Sequence, residues 1–276
     1  MWKILELMLY SLVIAGNKQG AFVIMSVKIV AHRGESFAAP ENTLESFTLA
    51  WSRGATCIEG DFYLSKDGEI VCMHDDNLRR TCGADLPISA LTLPELKQYD
   101  AGIWKGEAWR YTRIPTLREV LETMPDYGEI YIELKSVGPI VDALKAVFRS
   151  GPWRPEQLTF IAFDEATITE VKKLFPAHKA YWLCWNFTRK SPEPRRAVLS
   201  PEELAAKLKH LGVDGVDICE SEFLSPAYAE ALHAANLGFH VWTVDDPAVA
   251  KHLVEIGVDS ITTNRAKFIA TELGVI

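Results

Sequence analysis

Two histidines, His32 and His74, and three acids, Glu59, Asp61 and Glu133, stand at or near the ends of short apolar runs. Arg33 follows the first histidine, and Lys135 lies just past the last acid. A strand interior has no use for such side chains, but a site at the strand's carboxyl end does. Glu59 and Asp61 are two apart in an extended run, so their side chains share a face. Carboxylates on one inward face repel each other and lose hydration; they must stay protonated, pair with a cation or bind a metal. Glu133 ends another run and could point to the same place. Three carboxylates around one point describe a hard divalent cation, Mg²⁺ or Ca²⁺, with water completing the shell. The plainer alternative is that each acid caps a helix or pairs with an arginine. His32 and His74 lack the local spacing of a metal-binding pair. Imidazole titrates near neutrality, so one ring can take a proton while the other gives one; the competing reading is two packing histidines. Arg33 matches phosphate oxygens bidentately, and Lys135 adds a second cation. Two imidazoles, two cations and an oxygen-ligated metal together point to phosphoryl transfer. No Ser-His-Asp elbow, Walker sequence or GxGxxG competes.

The elements that must position these residues can be read from the hydrophobic pattern. Strand-like runs fall at Lys28–Ala31, Cys57–Phe62, Ile70–Met73, Ile130–Leu134, Leu158–Ala162, Ala180–Trp185, Gly215–Ile218, Phe239–Val244 and Ser260–Thr262, with helical segments between most of them. The last but one of these offers Trp242. A helix is expected over Asn42–Arg53, with Asn42 as N-cap and Glu45 as its capping-box partner. Repeated βαβ units make a parallel sheet, and strands apolar on both faces suit a barrel covered by helices. The fold expected is α/β, a TIM (β/α)8 barrel with one surplus strand. Only "YLSKDGE" separates the second and third runs, and Lys66-Asp67-Gly68 is a turn signal, so these two are expected to form a hairpin that opposes Glu59 to His74 within a residue. Residues 76–113 lack periodicity and read as a small insertion over the barrel mouth, too short for a core of its own. Residues 186–200 form a basic, proline-bearing loop.

With 276 residues, 48% of them hydrophobic, the chain supports one large core. A net charge of −8 recruits neither nucleic acid nor an anionic membrane, so an anionic ligand needs local cations or a bound metal. Five cysteines without a CxxC read as reduced packing residues, which favours a reducing compartment. The domain division expected is an N-terminal extension over 1–24 and a barrel over 25–276. The apolar run Ile4–Ala15 is too short to span a bilayer and carries Glu6. It fits an upstream extension, a cleaved signal or an interfacial anchor. A cytoplasmic location is expected, or export if residues 1–15 act as a signal.

The quoted segments "VAHRG", "PENTLESF", "IEGDFYLSKDGEIVCMHDDNLRRT", "IPTLREVLE", "YIELK", "VWTVDD" and "GVDSITTN" run in order through residues 27 to about 270. As a set they resemble the glycerophosphodiester phosphodiesterases. The resemblance implies a TIM barrel and a divalent metal. By position it suggests Glu59, Asp61 and Glu133 as ligands, His32 and His74 as acid and base in either order, and Arg33 and Lys135 as phosphate contacts. Glu41 lies in a matching segment and is placed behind the metal ligands, and Trp242 against the glycerol carbons. The substrate implied is a small glycerophosphodiester, cleaved to sn-glycerol 3-phosphate and an alcohol. Two departures stand out. Gly60 and Phe62 replace a more usual leucine and valine, so packing beneath the site is expected to differ. Asn264 stands where aspartate is more usual, which puts a local contact in doubt. A lysophospholipase D or phosphoinositide-type phospholipase is the nearest rival, and a non-catalytic binding barrel the rival of another class.

Overall fold

The computed structural model describes residues 13–16, 22–25, 27–149, 151–186 and 198–275. β1 (Val13–Gly16) and β2 (Phe22–Met25) pair antiparallel in a small sheet of their own. The larger sheet comprises β3 (Lys28–His32), β4 (Cys57–Leu64), β5 (Ile70–Cys72), β6 (Glu129–Leu134), β7 (Leu158–Ala162), β8 (Lys179–Cys184), β9 (Gly215–Cys219), β10 (Gly238–Trp242) and β11 (Ser260–Thr263). Apart from β5, these strands run parallel in the order β3-β4-β6-β7-β8-β9-β10-β11, and β11 returns to pair with β3. The result is a closed eight-stranded barrel with surrounding helices, the TIM-barrel fold expected.

The two faces of each strand do different work. Outward residues such as Ile58, Ile132, Phe160, Val216, Phe239 and Ile261 share the main core with the helices. Inward residues Val30, Cys57, Tyr131, Ile161, Tyr181 and Leu183 fill the lumen. Alternation along β4 therefore turns Glu59 and Asp61 inward together. Gly60, between them, faces outward. A Cβ there would lie 3.1 Å from Phe47 Cζ and 3.3 Å from Phe62. The rings of Phe47 and Phe62, both fully buried, occupy the volume that a larger residue at 60 would need. This is how the chain packs beneath the site with glycine at 60 and phenylalanine at 62.

The surplus strand is the expected hairpin. β5 pairs antiparallel with β4, Phe62 opposite Cys72 and Leu64 opposite Ile70, and the Met73 amide donates to the Asp61 carbonyl at 2.9 Å. That register opposes Glu59 to a position one residue past His74, within the tolerance expected. The stretch 76–113 contains only short helical turns. It has no core of its own: Leu78, Ile88, Leu96 and Ala101 form a satellite cluster with Val71 and Met73 from the hairpin and Ile114 from the approach to the next helix.

The first helix also departs from expectation. It runs Leu44–Ser52 with Thr43 as N-cap and Ser46, not Glu45, completing the capping box. Asn42 has φ of +58° and lies outside the helix; its side chain is committed elsewhere, as shown below. None of the five cysteines forms a disulfide, and Cys57, Cys72 and Cys184 are buried. Among the described residues no helix is long and apolar enough to cross a membrane. Residues 1–12 and 187–197, which hold most of the apolar N-terminal run and of the basic loop, lie outside the described residues. Because β3 starts just after Met25 and β2 pairs only with β1, a chain beginning at Met25 is expected to fold and keep full activity. A large drop in melting temperature or turnover for that truncation would show that residues 1–24 support the barrel.

Candidate active site

β3 ends in a sharp turn that presents His32 and Arg33. Arg33 has φ of +56° and Gly34 of +81°, and the Gly34 amide closes the turn on the Ala31 carbonyl at 3.1 Å. A Cβ on Gly34 would meet Ser46 Oγ at 2.5 Å and the Phe47 nitrogen at 2.8 Å, so only glycine allows the following helix to approach. The turn aims the Arg33 amide at Glu59 Oε2, to which it donates at 3.0 Å.

Glu59, Asp61 and Glu133 converge from β4 and β6, where Asp61 and Glu133 are register partners. One oxygen from each lies within 4.8 Å of the others, and all three residues are buried. Arg33 Nε sits 3.2 Å from Asp61 Oδ2; Lys135 Nζ sits 3.0 Å from Asp61 Oδ1 and 2.6 Å from Glu133 Oε1. Asn42 holds Asp61 from both sides: its Nδ2 donates to Asp61 Oδ2 at 2.7 Å and its Oδ1 accepts from the Asp61 amide at 3.2 Å.

Two cations do not satisfy three buried carboxyls. Burial, then Asp61 and Glu133, push the Glu59 carboxyl well above the carboxylate range. Burial and Asp61 push Glu133 up to about 8. Only Asp61 is held low: burial opposes its ionisation, but Lys135 and Arg33 outweigh it. Glu59 Oε1 is buried and has no hydrogen-bond partner. An all-oxygen donor set with a free lone pair and unmet negative charge fits Mg²⁺ or Ca²⁺.

The two histidines are each held at Nδ1 by partners of different charge. His32 Nδ1 lies 2.6 Å from Asn264 Oδ1. Asn264 Nδ2 donates to Asp245 Oδ2 at 2.7 Å, which turns its oxygen to the ring, so His32 carries its proton on Nδ1 and leaves Nε2 bare. Nε2 lies 3.9 Å from Glu59 Oε2. Burial, reinforced by Arg33, pushes the His32 pKa down to about 4. The asparagine noted as a local departure is thus a direct partner of this ring. His74 Nδ1 lies 2.6 Å from the carboxylate of Asp75. Burial lowers the His74 pKa, and Asp61 and Asp75 oppose that fall.

Asp75 leads into a chain of ion pairs. Arg80 Nε donates to Asp75 Oδ2 at 2.7 Å, and its two terminal nitrogens reach Glu41 at 2.8 and 2.7 Å. Glu41 in turn accepts from Arg33 Nη1 at 2.8 Å. Glu41 therefore sits behind Arg33, and Arg80 ties the supports of His74 and Arg33 together.

All of this opens on one pocket. His32, Arg33, Glu59, His74, Glu133 and Lys135 form a charged wall, and Ile161, Phe163, Leu183, Trp185 and Trp242 face it. Trp242 is fixed there by its Nε1, which donates to the Asp217 carbonyl at 3.0 Å, and by edge contacts with Phe163 and Trp185. Asp61 lies just behind the charged wall. The expected site residues thus gather around one point, with Glu41 at its back. Sequence reasoning passed over Asn42, Arg80 and the contact role of Asn264. No local signal marked Asn42 as anything but a cap, since asparagine outranks the threonine that follows it at that position.

The sequence model of the glycerophosphoryl diester phosphodiesterase family matches residues 32–267. A glycerophosphodiester phosphodiesterase of Caldanaerobacter subterraneus subsp. tengcongensis is 30% identical over 246 residues, covering 87% of this chain and 95% of that protein. One from Bacillus subtilis is 28% identical over 85% of this chain and 82% of its own length. A solved phosphodiesterase structure from Oleispira antarctica, in complex with the product sn-glycerol-3-phosphate, superposes with a TM-score of 0.79 at 30% identity, covering 89% of this chain and 96% of that one. The fold and the site define a phosphoric diester hydrolase of the barrel type. The chain belongs to the glycerophosphoryl diester phosphodiesterase family.

Proposed function

We propose that the chain hydrolyses glycerophosphodiesters to sn-glycerol 3-phosphate and an alcohol such as choline or ethanolamine, and that it depends on a divalent metal to do so. The observation that carries this is the convergence of three carboxyls, two oriented imidazoles and two cations on one pocket. The sn-glycerol-3-phosphate bound by the Oleispira relative supports the substrate class. Glu59, Asp61 and Glu133 would hold Mg²⁺ or Ca²⁺, which when bound polarises phosphoryl oxygens and offsets their charge. Arg33 and Lys135 contact the phosphate oxygens. His32, neutral and bare at Nε2, accepts the proton of the nucleophile, either water or the substrate's own neighbouring hydroxyl. His74, whose Nδ1 proton is held by a carboxylate, is the better ring to carry a second proton and give it to the leaving alkoxide. Trp242 packs on the glycerol carbons.

The test is release of glycerol 3-phosphate from a panel of glycerophosphodiesters, with and without chelator. No release from any member would overturn the reading. The apolar wall facing the cations favours one second reading, a lysophospholipase D, which would hold if choline were freed faster from lysophosphatidylcholine than from glycerophosphocholine.

Arg80 provides a separate check on the ion-pair chain. It is about two-fifths exposed, so its pairs add about 0–1 kcal/mol each to stability and Arg80→Ala should melt close to wild type. Losing the link that fixes both Asp75 and Glu41 should still lower kcat by about 10-fold, in line with small misplacements of catalytic groups. Arg80→Lys, which keeps the charge but not the fork, should recover little. Unchanged kcat in Arg80→Ala would show that the chain is only a surface ion-pair network.

A further inference from the structure

β9 carries a carboxyl that the mechanism does not use. Val216 and Ile218 belong to the outer core, so Asp217, between them, points into the barrel, with Leu183 and His240 beside it on the neighbouring strands. Asp217 and Thr262 are both 1% exposed, and both line the pocket. Among the described residues Asp217 Oδ1 and Thr262 Oγ1 are buried without a hydrogen-bond partner. The other buried acids of the pocket lie beside Arg33 or Lys135. Among the described residues no cation offsets Asp217, whose carboxyl burial alone pushes up to about 8. A carboxyl so placed is protonated at neutrality and can both donate and accept.

Two unpartnered polar groups in a substrate pocket are groups a ligand completes. Leu183 lies beside Asp217 on the neighbouring strand and Trp242 hangs from its carbonyl, while Arg33 and Lys135 pair with Asp61 on β4. Apolar surface with isolated hydrogen-bonding groups suits a short carbon chain bearing hydroxyls. In the substrate class proposed above, that is the glycerol. We infer that Asp217 and Thr262 bind the terminal glycerol hydroxyl of the substrate and set selectivity for esters that carry it over esters that lack it. The inference rests on the glycerophosphodiester reading. Trp242 hangs from the Asp217 backbone carbonyl, so replacing the Asp217 side chain leaves that bond available.

The experiment measures kcat/KM for glycerophosphocholine and for 2-hydroxypropyl phosphocholine, the same diester without its terminal hydroxyl but with the neighbouring hydroxyl that the reaction could use as nucleophile. It compares wild type, Asp217→Ala, Asp217→Asn and Thr262→Val, with melting temperatures as the folding control. Wild type should prefer glycerophosphocholine, since a site built to bond a hydroxyl rejects the analogue lacking it. Asp217→Ala should shrink that preference by about 10-fold or more, Thr262→Val by less. Asp217→Asn, which still donates and accepts, should retain most of it; asparagine also keeps the volume, so Thr262→Val, which keeps shape and loses only the hydroxyl, separates bonding from space-filling. A preference unchanged in Asp217→Ala and Thr262→Val overturns the inference. If Asp217→Ala does not fold, Thr262→Val, which removes a hydroxyl at constant shape, decides alone. A wild type that cleaves both esters equally also overturns it and leaves the phosphodiesterase reading standing. One that cleaves neither removes that reading, and the inference with it.

Discussion

Alanine at either His32 or His74 is expected to cut turnover of glycerophosphocholine or glycerophosphoethanolamine by about 100-fold or more, the usual contribution of a positioned acid or base. Neither change should disturb folding much. His74 is partly exposed and its supports, Asp75 and Arg80, keep their own pairing; His32 leaves Asn264 still bound to Asp245. The double variant should lose far less than the product of the single losses, because the two rings act on one reaction as a unit. Steady-state kinetics on the three variants, with melting curves beside them, settle the matter. Near-wild-type rates in both single variants would sink the mechanism and restore the binding-barrel alternative.

Chelation should abolish turnover, and Mg²⁺ or Ca²⁺ should restore it. Glu59→Gln should lose most of both metal affinity and rate, because it removes the one buried oxygen of the cluster's Glu59 that no protein donor satisfies. Calorimetric metal titration reads the affinity without reference to catalysis. The sign of the pH effect follows from the metal-free site. Glu133 is pushed up to about 8, so near neutrality it holds a proton that a cation must displace, and Glu59 is pushed up in the same direction. Binding should therefore release protons, and affinity should rise as pH rises toward and past 8. Glu59→Gln binding metal and turning over like wild type would refute the assignment of this cluster.

What could be read from the sequence followed from period and turn chemistry. The barrel was legible because its nine strand-like runs are short, apolar and separated by helical spacing. The β4–β5 register was legible because Lys66-Asp67-Gly68 fixes where the chain reverses. The inward pair Glu59 and Asp61 needed only the two-residue repeat of a strand. Asn42 was misread because cap preference sees a residue type and not a left-handed backbone: its φ is +58°, and Asp61, nineteen residues away, claims its side chain. Arg80 lay in an aperiodic stretch, where nothing local says that its partners are Glu41 and Asp75. Asp217 was hidden inside an otherwise apolar run, since periodicity marks which face a residue takes but not whether a partner waits there.

The packing around Gly60 bears on how such a chain can change over generations. The Phe47 and Phe62 rings press into the space that a side chain at 60 would fill. Leucine at 60 alone would collide with them, and valine at 62 alone would open a void under the two acids. Either exchange made alone is expected to lower the melting temperature, so the residues at 60 and 62 are coupled and should change together. The acids on the opposite face feel none of this. Ancestry can therefore be written in the padding of the strand while selection on the reaction holds its inward residues still.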